Sequence, residues 1–287
     1  MTSLEGLVTR GFAFVDLGAA WRSTPEGLRE RAALSPHAFA AELLGVDPLL
    51  VERQPVRPIE GARAFAGSRE VAPLHTDSQL FLGVPAAVQI LVCVRAAPAG
   101  GGSVLVDGAE LVARLDREDP ALGHALFAEE RAQRFYFGEV TGPTVSSRGG
   151  HVTFTVAPRA PDPVGVALGR ALDRACREHA ITHTLRPGEA LVASNHRMLH
   201  GREPFTGERE LVRLLVWLEE PLAGETWPDA ATRARTRVVV PPAAPEARVR
   251  LRAVLGILRG VPPAKAARDA GVDEATLYAW RDAFFRR

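Results

Sequence analysis

Short strand-like patterns dominate the first 220 residues. The run Val88–Val94 is nearly all apolar and largely β-branched, which predicts a strand buried on both faces. Alternating or apolar segments elsewhere predict further strands at residues 12–16, 103–107, 134–138, 151–156, 181–186, 190–194 and 209–219. This part of the chain is therefore predicted to form a strand-dominated domain.

Helical periodicity is confined to a few segments of that domain. Asp162-Pro163 opens a helix that runs to about His179, with apolar residues on one side and arginines on the other. Thr24 is a suitable N-cap for a helix that starts at Pro25. Other helices are predicted at 35–45, 109–115 and 118–131, a turn at 6–11, loops at 46–72 with a possible short strand at 62–66, and a polar loop at 139–150.

The pattern changes after residue 220. Residues 221–245 are rich in proline and alanine without a clear period, which is typical of a linker. From Glu246 the pattern is helical, with helices predicted at 248–258, 263–271 and 273–285. We therefore expect two domains, residues 1–240 and residues 246–287.

Composition adds little direct evidence of a partner. The 287 residues include 35 basic and 34 acidic ones, so the net charge of +1 favours neither nucleic acid nor a membrane surface. Only Lys265 among the basic residues is a lysine, and an arginine is therefore weaker evidence of function here than usual. The two cysteines form no disulfide framework, and no signal segment or long apolar run is present, which indicates a cytoplasmic protein.

The most informative motif is His75-Thr76-Asp77. On a strand, the i, i+2 spacing directs His75 and Asp77 to one face, where both can bind one metal ion. A second imidazole from His200 would complete a facial triad, which leaves open positions typical of non-haem Fe(II) oxygenases. A His-x-Asp tripeptide alone is more often a solvated strand end, so the motif depends on its context.

That context resembles a known family. His75-Thr-Asp77, the Val88–Val94 strand, Gly100-Gly-Gly-Ser103 and Leu199-His-Gly-Arg202 are similar, in order and spacing, to the Fe(II)/2-oxoglutarate-dependent oxygenases of the taurine dioxygenase and γ-butyrobetaine hydroxylase superfamily, which are clavaminate synthase-like. The resemblance implies an α+β, mainly β fold. Its core would be a double-stranded β-helix (jelly roll) with flanking helices, and this chain would add a small C-terminal three-helix region.

The resemblance also assigns roles. It implies that His75, Asp77 and His200 bind Fe(II) and that Arg209, with the Ser103 hydroxyl, holds the distal carboxylate of 2-oxoglutarate. Relatives that chlorinate have a small residue in place of the carboxylate ligand, so Asp77 favours hydroxylation.

Arg213 stands in an apolar strand four residues after Arg209, and a buried guanidinium needs an anion opposite it. The resemblance implies that Arg213 faces the substrate. The alternatives are a structural salt bridge for Arg213 and a solvated hairpin-end position for Arg209.

Other residues rank lower as site candidates. Asn195 and Arg202 are interpreted as residues that orient ligands or anchor loops. His151, His183 and His196 are interpreted as surface or core histidines. With only Tyr136 and Tyr278 as tyrosines, an aromatic cage for a trimethylammonium group is poorly supported.

The tail permits a second hypothesis. Residues 246–287 carry nine basic and five acidic residues, net +4, and the spacing from Ala266 to Trp280 resembles helix-turn-helix units of transposases. The third helix, however, opens with Asp273 and Glu274, which disfavours contact with DNA. Nucleic acid is thus an unfavoured but open partner. The preferred role for the tail is packing against the catalytic domain, dimerisation or docking of a partner protein.

We predict a cytoplasmic Fe(II)- and 2-oxoglutarate-dependent dioxygenase that hydroxylates an unactivated C–H bond of a small, anionic metabolite or amino acid, as in natural-product assembly, and converts 2-oxoglutarate to succinate. The partners are a small molecule and dioxygen, with no membrane and a possible homo-oligomer. The alternatives are a metabolite-sensing DNA-binding regulator and a zinc hydrolase that uses the same triad.

Overall fold

The computed structural model describes residues 3–18, 35–62, 65–77, 84–135, 138–157, 161–220, 230–239, 245–258 and 261–285. The chain divides into two compact units. The first comprises Met1–Gln79 and Pro85–Val239, and the second Leu80–Val84 and Val240–Arg287. No described helix is both long and apolar enough to cross a bilayer.

The described strands lie in the first unit, and those predicted at 12–16, 88–94, 103–107, 151–156, 181–186, 190–194 and 209–219 are present close to these positions. In chain order the strands are β1 (Phe12–Asp16), β2 (Leu50–Val56), β3 (Ala72–His75), β4 (Val88–Arg95), β5 (Ala99–Gly100), β6 (Ser103–Asp107), β7 (Arg131–Phe135), β8 (Gly138–Gly142), β9 (Val145–Arg148), β10 (His151–Phe154), β11 (Ile181–His183), β12 (Glu189–Ser194), β13 (Met198–Arg202), β14 (Phe205–Thr206), β15 (Glu210–Trp217) and β16 (Arg237–Val238).

Two antiparallel sheets form the centre of this unit. The larger has the strand order β1-β12-β4-β15-β2, and the smaller has the order β11-β6-β13-β3. Their facing surfaces share one apolar cluster, in which Cys93 and Leu211 of the larger sheet pack with Leu105 and Met198 of the smaller. This is the predicted jelly-roll arrangement, with helices on the outside.

In the first unit, helices pack on the outer faces of both sheets. The described helices of this unit are α1 (Ser3–Arg10), α2 (Pro36–Leu44), α3 (Gly108–Glu118), α4 (Pro120–Ala128), α5 (Pro163–His179) and α6 (Ala230–Arg235), and those of the second unit are α7 (Pro245–Leu258), α8 (Pro263–Ala270) and α9 (Glu274–Phe285). Leu7 of α1 and Phe39 of α2 pack on Val88, Ile90 and Val92 of β4. Strand β4 is therefore buried on both faces, as its continuous apolar run predicts.

Several predictions of local structure are wrong. Residues 3–10 form helix α1 rather than a turn, and residues 65–67 form a 3₁₀ turn rather than part of a strand. Residues 139–150 contain most of β8 and β9 rather than a loop. Strand β2 was missed because its Leu-Val-Glu-Arg-Gln-Pro-Val sequence is polar and contains Pro55, which an edge strand tolerates. The predicted helix at Thr24 lies outside the described residues.

The second unit contains the predicted tail helices. Helices α7, α8 and α9 share a small apolar core that includes Val254, Ala267 and Leu277. Gly271 ends α8 in the left-handed conformation with φ 69°, which glycine adopts without strain. Helix α6 and strand β16 lie within the segment predicted as a linker and belong to the first unit.

A glycine is required where the two strands that carry the candidate ligands meet. A Cβ atom at Gly201 of β13 would lie 2.7 Å from the carbonyl oxygen of Ala72 in β3. We therefore expect Gly201→Ala to lower the free energy of unfolding by about 1–3 kcal/mol, measured by chemical denaturation.

Gly169→Ala is the matched control. Gly169 lies in helix α5, and nothing lies within 4 Å of the position of its Cβ atom. This substitution should instead stabilise the protein by about 0.5–1 kcal/mol. Equal effects of the two substitutions would contradict the packing described for Gly201.

Candidate active site

The structure brings the three predicted ligands together between the two sheets. His75 ends β3 and lies directly opposite His200 of β13 in the antiparallel register. One ligand atom from each of His75, Asp77 and His200 lies within 4.8 Å of the other two. Asp77 follows β3 by two residues, so the i, i+2 spacing directs it to the side of His75.

The His75 ring is oriented for coordination. Its Nδ1 lies 2.7 Å from the Pro73 carbonyl oxygen, which can only accept, so Nδ1 carries the proton and Nε2 has a free lone pair. Burial lowers the pKa of His75 to about 4, and nearby His200 acts in the same direction. The imidazole is therefore neutral near pH 7, the state in which it binds metals.

The Asp77 carboxylate receives three hydrogen bonds. Arg213 Nη1 lies 3.0 Å from both carboxylate oxygens, and Gln89 Nε2 donates to Oδ2 at 2.6 Å. Burial alone would raise the pKa of Asp77, but Arg213 and His200 lower it well below its usual range. Asp77 thus remains an anion at the centre of the site.

Asn195 fixes the backbone of the same ligand. Its Oδ1 accepts from the Asp77 N–H at 2.8 Å, while its Nδ2 donates to the carbonyls of Asp77 and Ala86 at 2.7 and 2.9 Å. Asn195 lies in the turn that leads into β13, five residues before His200. The side chain therefore ties the Asp77 ligand to the strand that carries His200.

A cavity of about 90 Å³ opens beside the triad. Ser103, Arg209, Gln89 and Arg213 line it together with the two histidine ligands. Arg209 is 6% exposed, its guanidinium lies 5.5 Å from the Phe205 ring, and no carboxylate of the described residues pairs with it. Burial lowers its pKa to about 10, so the group remains a buried cation beside the triad at neutral pH.

Backbone packing holds Arg209 in this position. A Cβ atom at Gly101, where φ is +77°, would lie 3.2 Å from both Cδ and Nε of Arg209. The Gly-Gly-Gly turn before Ser103 therefore admits the arginine side chain. The predicted alternative of a solvated Arg209 is wrong.

Arg213 is placed differently from Arg209. Besides Asp77, it donates from Nη2 to the Gln54 side-chain oxygen, and only its Nε lacks a hydrogen-bond partner. The salt bridge to an internal acid is thus present, and that acid is a candidate metal ligand. Arg202 instead donates to the carbonyls of Phe65, Ser68 and Glu70, so it anchors a loop.

The sequence analysis missed Gln54 and Gln89. Gln89 is the only polar side chain in the apolar run Val88–Val94, and that exception is the signal that could have identified it. Gln54 was hidden because β2 was not predicted. Among the remaining histidines, His151 and His196 are buried with ring centroids 4.9 Å apart, and His183 is partly exposed beside Glu189.

A protein-family model described as taurine catabolism dioxygenase TauD, TfdA family matches residues 48–158 and 153–215. The chain belongs to this family. It is therefore a 2-oxoglutarate-dependent non-haem iron dioxygenase, which confirms the predicted enzyme class and cofactors. The mainly antiparallel fold confirms the predicted fold class.

The chain is also similar to individual proteins. A uridine-5'-phosphate dioxygenase from Streptomyces sp is 28% identical over 239 residues, covering 75% of this chain and 86% of the relative. Asparagine oxygenase, solved with Fe(II), 2S,3S-3-hydroxyasparagine and succinate, has a TM-score of 0.50 at 19% identity and covers 84% of this chain and 95% of that one. Another structure of asparagine oxygenase is matched over 58% of this chain and 56% of its own, with a TM-score of 0.47 at 22% identity.

The Asn195 contacts predict a loss of metal affinity on substitution. Asn195→Asp keeps the side-chain size but presents an acceptor to the carbonyl oxygens of Asp77 and Ala86. We expect Mn(II) affinity, measured calorimetrically, to fall about 10- to 100-fold. Gln133→Glu, which alters another buried amide away from the triad, should leave that affinity unchanged. Wild-type affinity in Asn195→Asp would contradict the role of these contacts.

The buried His196 predicts acid sensitivity of the fold. Burial lowers its pKa to about 3, with His151 acting in the same direction, so the folded state binds its proton less readily than the unfolded chain. This contribution to stability is complete above the unfolded pKa of about 6.5 and is lost as pH falls toward 3.

The free energy of unfolding should therefore decrease over this pH range. In His196→Gln the decrease should be shallower by about 1.4 kcal/mol per pH unit. Parallel curves for the two proteins, from chemical denaturation at a series of pH values, would exclude His196 as the cause.

Proposed function

We propose that His75, Asp77 and His200 bind the Fe(II) ion and that Arg209 and Ser103 bind the distal carboxylate of 2-oxoglutarate. The observation that carries this proposal is the buried Arg209 guanidinium, which has no carboxylate partner among the described residues and lines the same cavity as the two histidines of a compact His-Asp-His cluster. A buried cation of this kind requires an anionic ligand. Arginine also suits a carboxylate, because its planar donors match the two oxygens.

The ligand set fits a divalent iron ion. Two imidazoles and one carboxylate would leave positions on the ion for the co-substrate and dioxygen. Bound iron would, with 2-oxoglutarate and dioxygen, supply an oxidant strong enough to attack an unactivated C–H bond, with one oxygen atom going to succinate as the co-substrate loses CO₂ and the other to the substrate. The side chains of this chain hold the ligands, orient the co-substrate and exclude water.

The reaction that we propose is hydroxylation of a small, anionic metabolite or amino acid. Asp77 supports hydroxylation over halogenation because it occupies the position at which a halide would otherwise bind. The relatives support a small substrate, since one is a uridine-5'-phosphate dioxygenase and another was solved with a hydroxylated asparagine. Arg213 reaches the substrate through its unpaired Nε, while its other nitrogens hold Asp77 and Gln54.

We further propose a catalytic domain at residues 1–240 and a separate tail at 246–287. We assign no nucleic-acid binding to the tail, because Asp273 and Glu274 stand at the start of α9. Dioxygen and a small molecule are the proposed partners. A cytoplasmic location is supported by two cysteines that form no disulfide.

The experiment is an assay of 2-oxo acid turnover. Protein with Fe(II), ascorbate and dioxygen should convert 2-oxoglutarate to succinate, and Arg209→Gln should raise the KM for 2-oxoglutarate about 10- to 100-fold because a charge-assisted contact is lost. Arg53→Gln, which removes an exposed arginine from β2, is the control. Absence of succinate above the metal-free blank, or an unchanged KM in Arg209→Gln, would contradict the proposal.

A further inference from the structure

A chain of hydrogen bonds leads away from the metal ligands across the inner face of the larger sheet. Arg213 donates to Asp77 at one end and to the Gln54 oxygen at the other, and Gln54 Nε2 in turn donates to Glu52 Oε1. Arginine can only donate and carboxylates can only accept, so the direction of every bond in this chain is determined. Gln89 joins it by donating to Asp77.

Three buried atoms of these hydrogen-bonded side chains have no hydrogen-bond partner. They are Glu52 Oε2, Gln89 Oε1 and Arg213 Nε. The two side-chain oxygens are acceptors, and the Arg213 nitrogen is a donor. Glu52 is a carboxylate that forms no ion pair with any described residue. A buried carboxylate oxygen without a donor is costly, so a ligand that supplies donors would relieve the cost.

The three side chains leave the same face of the sheet. Strand β15 lies between β2 and β4, and its Leu215 pairs with Glu52 on one side and with Gln89 on the other. Arg213 precedes Leu215 by two residues. Residues aligned across strands, or two apart along one strand, share a face. The unpartnered acceptors and the donor therefore point to the interior that also holds the triad.

Charge at the free end of these hydrogen bonds favours an ammonium group. Glu52 has no ion-pair partner among the described residues, so a cationic group of the substrate would compensate its charge, whereas a phosphate dianion would be repelled by it. Three arginines, Arg202, Arg209 and Arg213, line the cavity beside the triad and can receive the carboxylates of the co-substrate and of an amino acid.

Resting on the proposed function, we propose that Glu52 is the specificity-determining residue and that its free oxygen binds the ammonium group of an amino-acid substrate. Gln89 Oε1 supplies a second acceptor for that ammonium group, and Arg213 Nε donates to the substrate carboxylate. The substrate class is thus a free amino acid rather than a phosphate or sulfonate ester. Gln54 is a positioning residue, because it links Glu52 to Arg213.

The test uses the full chain with Fe(II) and 2-oxoglutarate under anaerobic conditions. The probes are the twenty common L-amino acids, their N-acetyl derivatives, which lack the ammonium group, and uridine-5'-phosphate. Binding is read from perturbation of the visible band of the iron–2-oxoglutarate chelate, and succinate formation after addition of air is the second readout. We expect at least one free amino acid to act in both readouts, and its N-acetyl derivative to act in neither.

Substitutions of acidic residues complete the test. Glu52→Gln should form the same chelate band but bind the active amino acid about 10- to 100-fold more weakly, as for the loss of a charge-assisted hydrogen bond. Glu60→Gln, which neutralises an exposed acid after β2, should behave like wild type. The proposal would be overturned if Glu52→Gln bound the amino acid with unchanged affinity or if the N-acetyl derivatives bound as well as the free amino acids. It would also be overturned if uridine-5'-phosphate alone bound, or if no amino acid perturbed the band. Absence of the band itself would instead contradict the proposed function.

Discussion

The antiparallel register between β3 and β13 is the constraint on which the active site depends. It sets His200 directly opposite His75, and the absence of a side chain at Gly201 allows the two strands to approach. Asn195 then connects the backbone of Asp77 to the same strand. Ligands separated by more than a hundred residues in sequence are thus held together by one strand pair and one amide side chain.

Compensation of buried charge connects the ligands to the rest of the interior. Asp77 is stabilised as an anion by Arg213, and Arg213 is in turn held by Gln54, which also contacts Glu52. Arg209 differs because no described carboxylate pairs with it. One arginine therefore neutralises a candidate metal ligand, and the other is a buried cation that lines the same cavity. Substitutions at the two positions would therefore have different consequences.

The sequence predicted the parts of the fold in which local pattern and tertiary context agree. The apolar run of β4, the Asp-Pro start of α5 and the tail helices lie close to their predicted bounds. Helix α1, strand β2 and the β8–β9 region were not predicted, because their residues are polar or mixed and their structure depends on packing against distant segments. Pro55 shows this dependence, since it is acceptable in β2 only because β2 is an edge strand.

The candidate site was predicted to a similar extent. The triad, Arg209 and Ser103 were predicted from motifs and the family resemblance, and all of them except Asp77 line one cavity. The contact of Arg213 with Asp77 could not be read from spacing. The contribution of Gln89, Gln54 and Glu52 depends on cross-strand register, which a single sequence does not specify. The pairing of strands that are distant in sequence is therefore what could not be predicted from the motifs.

The most direct test of the central claim is an anaerobic titration of metal-free protein with Fe(II) and then 2-oxoglutarate, followed by visible absorption. The structure predicts a charge-transfer band of the chelate in wild type, loss of the band in His75→Ala and a higher 2-oxoglutarate requirement in Arg209→Ala. Folded wild-type protein that gives no band, or a band that persists in His75→Ala, would contradict the assignment of the site.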